Sequence, residues 1–207
     1  MTISLTLIII IITAIASFYA WQNTTVFNQW MMNPYEVSRK NQYWRFITSG
    51  LIHADGTHLF FNMFSLYSFG QFMEIGFFKD MFGQQTGGLY FLLLYFGGVV
   101  VSDLPTFLQN RNNRSYNSLG ASGGVSAVIF GAILLNPLQK ILIYFIPVPG
   151  IIFAFLYVLY SVQMSRRGQD NVNHQAHLYG ALFGVLCVVL VYPTAVINFS
   201  QQLMSWL

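Results

Sequence analysis

Two side chains far apart in the chain carry most of its chemical potential. Ser122 lies in Gly120-Ala121-Ser122-Gly123 and opens an apolar run that continues to Leu135. A serine among small residues at the mouth of a hydrophobic helix is a candidate nucleophile. Small neighbours leave room for a substrate backbone, and the free N–H groups of a helix start bind developing negative charge. The same cluster also lets membrane helices pack closely, which needs no chemistry. The second side chain is His177. His177, Gly180 and Gly184 stand at i, i+3 and i+7, so a helix puts the imidazole and both glycines on one face. Gly180 and Gly184 form a G-x-x-x-G, which admits a close neighbouring backbone. If that neighbour is the glycine-rich run after Ser122, a neutral imidazole reaches the serine, takes its proton and returns it to a leaving amine. Taken alone, His177 reads as a satisfied buried polar residue.

Other polar residues sit in apolar surroundings. His58 and Asn62 are four apart and share a helical face. Polar groups at membrane depth face the bundle interior and are functional candidates, although an interhelical hydrogen-bond pair explains these two equally well. Glu74 falls sixteen residues beyond His58, toward the opposite membrane face, and reads as a structural acceptor or pocket-floor group. His174, one turn before His177, reads as a boundary or solvent-facing residue. No acidic residue is an obvious orienter for His177. Asp170 precedes it by seven positions but falls in a polar loop, so a dyad is expected rather than a triad.

The elements that must position these groups follow from composition. The 207 residues are 55% hydrophobic and only 7% charged, with mean hydropathy +0.55. A soluble domain carries about 25% charged residues, so this chain cannot cover a water-facing surface and belongs in a membrane. The formal charge of +3 rests on few groups, and no basic cluster points to nucleic acid. The lone Cys187 excludes an internal disulfide and offers no metal-type spacing.

Apolar stretches predict six spans in one domain over 1–207: 4–20, 58–76, 88–104, 121–136, 150–164 and 175–191. No Lys or Arg precedes the first apolar core, as it would in a secretory signal, so that stretch reads as a retained helix. The third span is expected to end at Asp103-Leu104-Pro105, with a polar loop over 109–118. Residues 21–57 form a long connection rich in aromatics, including Trp21, Trp30, Tyr43 and Trp44, which favour the headgroup region. With six helices, the starts of the second, fourth and sixth share one membrane face. His58, Asn62, Ser122 and His177 all lie at those starts.

Trp44-Arg45, His53 with His58 and Asn62, Gly120-Ala121-Ser122-Gly123, and Ala176-His177 with Gly180 and Gly184 together resemble the rhomboid intramembrane serine proteases. The resemblance runs from about Trp44 to Gly184 and implies an all-α, polytopic membrane protein built as a six-transmembrane-helix bundle. It implies Ser122 as nucleophile and His177 as general base and acid. His58, Asn62 and the Ser122 N–H would form the oxyanion site. His53 would support the loop above, Arg45 would order the first long loop, and Glu74 would be a structural hydrogen-bonding group. It implies no cofactor or metal, and as partners transmembrane protein substrates within the lipid bilayer, cut near the membrane surface. Two positions depart from the pattern. Many members carry a bulky aromatic four residues after the serine, packed on the histidine; here that position is Ser126. The acidic residue often found just before the Trp-Arg pair is here Gln42.

Two rival readings come from other classes. One is a rhomboid-like protein without catalysis that binds membrane clients. The other is a small transporter with a proton path through His58, Glu74, Asp103 and His177, for which the chain offers no inverted repeat. The expected location is a cell (inner or plasma) membrane. On six-span parity the active face holds Arg39, Lys40, Arg45, Arg111, Arg114, Arg166 and Arg167, against Lys79 and Lys140 opposite. The positive-inside tendency turns that face to the cytoplasm; the resemblance turns it outward, and the expectation follows the resemblance.

Overall fold

The computed structural model describes residues 4–143, 146–167 and 172–206; Asp170 falls outside them. Its axis is the helix that Ser122 opens. This element, Ser122–Leu135 (α8 in chain order), is buried at every position from Gly123 to Leu134. Helices pack on it from several sides.

Helix starts follow the short polar side chains. Helix α1, Leu5–Gln22, is capped by Ser4, whose hydroxyl accepts the Leu7 N–H. The long connection after it is largely helical. Asn23 caps α2, Thr24–Trp30. Asn33 caps α3, Pro34–Lys40, with Pro34 in its first turn, where a missing N–H costs nothing. Then come α4, Arg45–Thr48, and a 3₁₀ turn, Ser49–Leu51. Asp55 caps α5, Gly56–Gln71, by accepting the His58 N–H at 2.8 Å. This helix continues without a break as a π-helix, Phe72–Lys79, and leads through α6, Asp80–Phe82, into the next span.

Helix α7, Gln84–Asn110, runs beyond the stop expected at Pro105, which sits inside it. The stretch from 104 to 110 is therefore helix rather than loop. After α8 the chain makes a small hairpin, β1 Lys140–Ile143 with β2 Ile146–Pro149, in register Lys140↔Pro149. Pro147 and Pro149 stand in β2, where a two-stranded edge tolerates them. Helix α9 spans Gly150–Arg167, and α10 spans His174–Val191 with Asn173 as cap. A further helix not anticipated from the sequence, α11, covers Ala195–Trp206.

The exterior is apolar. Ile15, Phe18, Phe60, Phe64, Leu93, Leu186 and Leu190 are more than half exposed, while Thr6, Thr13, Ser17, His53, Glu74 and Ser126 are buried. Large exposed side chains around a core that admits polar ones mark a bundle solvated by lipid. Three described helices, α1, α7 and α10, are long and apolar enough to cross a membrane, and α8 and α9 are shorter apolar helices.

Candidate active site

Ser122 is the first residue of α8, and no side chain caps that helix start. The first intrahelical bond near it runs from Val125 N–H to the Ala121 carbonyl. The N–H groups of Ser122, Gly123 and Gly124 precede that bond and have no intrahelical acceptor. Ser122 and Gly123 line a small cleft with Ser102, Asp103, Ser118 and Asn173.

The loop that delivers Ser122 is held at successive backbone groups. Gly120 N–H donates to the Ser49 carbonyl at 2.9 Å. Gly120 has φ of 117°, and a Cβ there would run into the His58 ring, so both conformation and space require glycine. Ala121 N–H donates to His53 Nε2 at 3.3 Å. Since Nε2 accepts, the proton sits on Nδ1, which lies 3.1 Å from Ser17 Oγ; that hydroxyl in turn donates to the Leu51 carbonyl. His53 is fully buried, and burial, more than its neighbour His58, pushes its imidazole down to about 3. It therefore stays neutral, as its acceptor role demands.

The His58 ring stands 4.9 Å from that of His53, edge to face, against Gly120. Asn62, one turn along α5, is buried and donates one amide hydrogen to the His58 carbonyl at 3.0 Å. Its second amide hydrogen remains for another acceptor.

The glycine face of α10, which follows His177, packs on α8. A Cβ on Gly180 would overlap the Gly123 carbonyl, and one on Gly184 would overlap the Ala127 backbone. Helices α8 and α10 thus touch backbone to backbone, one residue beyond Ser122 and three beyond His177. The His177 ring lies under Tyr157 of α9, with centroids 6.0 Å apart and planes 24° from parallel. Tyr157 Oη is 2.8 Å from Ser126 Oγ. His174 is buried, contrary to the boundary position expected for it, because Tyr160 of α9 covers it edge-on at 5.5 Å.

Arg45 is buried and works in the first loop. It donates to Gln42 Oε1 at 2.7 Å and to the Asn28 and Met31 carbonyls at 2.9 and 2.6 Å. Gln42 thus supplies the acceptor that an acidic residue would have offered. Trp44 is half exposed beside it. The loop is tied to the approach to Ser122 by paired backbone bonds between Met32 and Ser118. Glu74 lies elsewhere, at the start of α1, where its carboxylate accepts from Leu5 N–H, Thr6 N–H and Thr6 Oγ1 and pairs with Lys79.

Ser102, Asn173 and Tyr157 were not singled out as site residues from the sequence, and Asp103 only as a point on the rival transport path. Asn173 donates to Thr106 Oγ1 at 2.9 Å, fastening the start of α10 to α7, and Asp103 accepts from Ser49 Oγ. The i, i+3 spacing of Tyr157 and Tyr160, matching that of His174 and His177, was the one available signal.

An apolar helical bundle with a polar cleft at one end, holding a serine at an uncapped helix start, defines an all-α polytopic membrane protein. The rhomboid domain model matches residues 40–194, and the chain belongs to the rhomboid family. RHOMBOID-like protein 12, mitochondrial, of Arabidopsis thaliana is 30% identical over 178 residues, covering 79% of this chain and 52% of its own length. RHOMBOID-like protein 6, mitochondrial, of the same plant is 32% identical over 149 residues, 72% of this chain and 44% of its own. Rhomboid protease GluP of Bacillus subtilis (strain 168) is 24% identical over 166 residues, 80% and 29% respectively. The chain spans about half the length of the first two.

Proposed function

We propose that this protein is an intramembrane serine endopeptidase, with six spans in one domain, that cuts transmembrane segments near the membrane surface. Ser122 Oγ attacks the scissile carbonyl while His177 takes its proton. The Ser122 N–H, His58 and the spare Asn62 amide hydrogen stabilise the oxyanion. Collapse of the tetrahedral species passes the proton from His177 to the leaving amine, and water then releases the acyl group by the same route in reverse. A substrate helix keeps its backbone hydrogen-bonded in lipid, so it must unwind locally before attack.

One observation carries this reading: the backbone contact of Gly180 with Gly123, which brings the His177 end of α10 to the Ser122 end of α8. The uncapped start of α8 supports it further. Glu74, committed to the start of α1, argues against a transport path through that residue.

The proposed setting is a bacterial-type cell membrane with the active face outward. The cation count opposes this orientation. In its favour, Arg45 is buried in the loop's own structure, Arg114 lies 4.8 Å over the Tyr35 ring, and Lys40 pairs with Glu36.

The deciding experiment is fluorophosphonate labelling in mild detergent, alongside cleavage of a model transmembrane substrate. Wild type is expected to label and cleave, and Ser122→Ala and His177→Ala to do neither. Full cleavage by Ser122→Ala sinks the mechanism. A folded wild type that neither labels nor cleaves returns the protein to the client-binding reading.

A further inference from the structure

The family pattern places an aromatic ring on the histidine from the helix that carries the serine, and Ser126 removes it here. The surroundings of His177 contain a replacement from a different helix. Tyr157 of α9 lies nearly parallel to the imidazole. Its hydroxyl is bonded to Ser126 Oγ at 2.8 Å, and Ser126 is itself buried. The ring is fixed by Phe130 of α8 at 5.4 Å and Phe153 of α9 at 5.7 Å. One turn further along α9, Tyr160 covers His174, and the two imidazoles stand edge to face at 5.7 Å. Two tyrosines at i, i+3 on α9 therefore face two histidines at i, i+3 on α10.

We propose that Tyr157 is the positioning residue for His177, and that Ser126 is the anchor that holds Tyr157 in place. This inference rests on the reading of His177 as the base. The physical requirement is plain. An imidazole can rotate about its side-chain torsions, and a flat surface packed on it limits that rotation. The parallel Tyr157 ring supplies that surface, and the buried hydroxyl pair fixes the ring in turn, since breaking it leaves a buried polar group unpaired. A side chain as small as serine at 126 is what leaves room for the Tyr157 hydroxyl.

The test uses the whole protein in micelles with four variants and two readouts. The first readout is steady-state cleavage of a transmembrane substrate. Tyr157→Leu is expected to lower kcat by about 10- to 100-fold with little change in KM, the signature of a misplaced proton-transfer group. Tyr157→Phe and Ser126→Ala keep the ring and are expected to lose only about threefold, on the scale of one neutral hydrogen bond. The double variant Ser126→Tyr/Tyr157→Ala, which returns a ring from α8, is expected to recover most of the kcat that Tyr157→Leu loses. The second readout does not depend on activity: the His177 ring-proton resonances of histidine-labelled protein. They are expected to lose a ring-current shift in Tyr157→Leu and keep it in Tyr157→Phe.

Unchanged His177 resonances in Tyr157→Leu overturn the positioning role. So does a loss in KM alone, or an equal loss in Tyr157→Phe. A wild type that shows the ring-current shift yet never cleaves keeps the placement of Tyr157 and overturns the protease reading instead.

Discussion

At the scale of single residues, the site is built by neutral hydrogen bonds and ring contacts. His53 is the clearest case, because its acceptor nitrogen must stay unprotonated to hold Ala121 N–H. Its pKa falls from the ordinary 6.5 to about 3 in the folded protein. The unfolded chain therefore binds a proton below pH 6.5 that the folded chain refuses. Its contribution is constant above that pH and drains away as pH falls from 6.5 toward 3. Thermal unfolding in micelles across this range is expected to fall more steeply for wild type than for His53→Gln, with matching slopes above pH 7. Equal slopes throughout would remove the neutral-histidine account. At the same scale, Asn62→Ala is expected to lower kcat by about 10²–10³, as loss of one oxyanion donor does in soluble serine proteases, and to leave fluorophosphonate labelling detectable. Its residual rate distinguishes it from Ser122→Ala.

At the scale of elements, one seam matters most. Helices α8 and α10 approach as closely as they do because Gly180 and Gly184 carry no Cβ. The methyl group of Gly184→Ala would meet the Ala127 backbone, so α10 must move away. Overpacking of this kind costs about 1–3 kcal/mol, and a shift near 1 Å costs roughly 10²-fold in rate. A lower melting temperature and a kcat loss of that order are expected together. Leu190→Ala, on the same helix but 81% exposed, serves as the control and should leave the rate intact. A Gly184→Ala variant with wild-type rate would mean that the seam does not set the distance between the two ends. Helix α9 contributes differently. Phe155 and Leu159 are exposed on it, while Tyr157 turns inward to His177.

At the scale of the whole molecule, the placement of free cations bears on which way it sits in the membrane. Arg45 is buried and Lys79 is paired with Glu74, so neither is a free surface charge. Among the described residues the remaining cations still favour the active face. Membrane-impermeant maleimide on intact cells resolves the point, using Asn113→Cys on the loop before Ser122 and Gln139→Cys beside the hairpin. The outward orientation expects Asn113→Cys to label at once and Gln139→Cys only after permeabilisation. The reverse pattern would put the active face in the cytoplasm, as the positive-inside tendency has it.

What could be read from the residues alone was whatever is local or compositional. Scarcity of charge dictated a lipid-solvated helical chain, because no arrangement of 7% charged residues covers a wet surface. The i, i+3, i+7 face of His177, Gly180 and Gly184 encoded a close helix approach within one element, while the choice of α8 as its neighbour stayed conditional until the fold supplied it. The helix extended past Pro105 was not legible, since proline is a stop signal in water, whereas in a packed membrane bundle the neighbours re-satisfy the freed groups. Nor were the contacts that join distant segments: Glu74 on the start of α1, His53 on Ala121, Tyr157 on His177. Each pairs residues tens of positions apart, and only the last had a local hint, the i, i+3 spacing shared by the two tyrosines and the two histidines. Only the packing of helices decides which face meets which, and so the group that packs on His177, with serine at 126, could not be named until the fold brought Tyr157 of α9 to it.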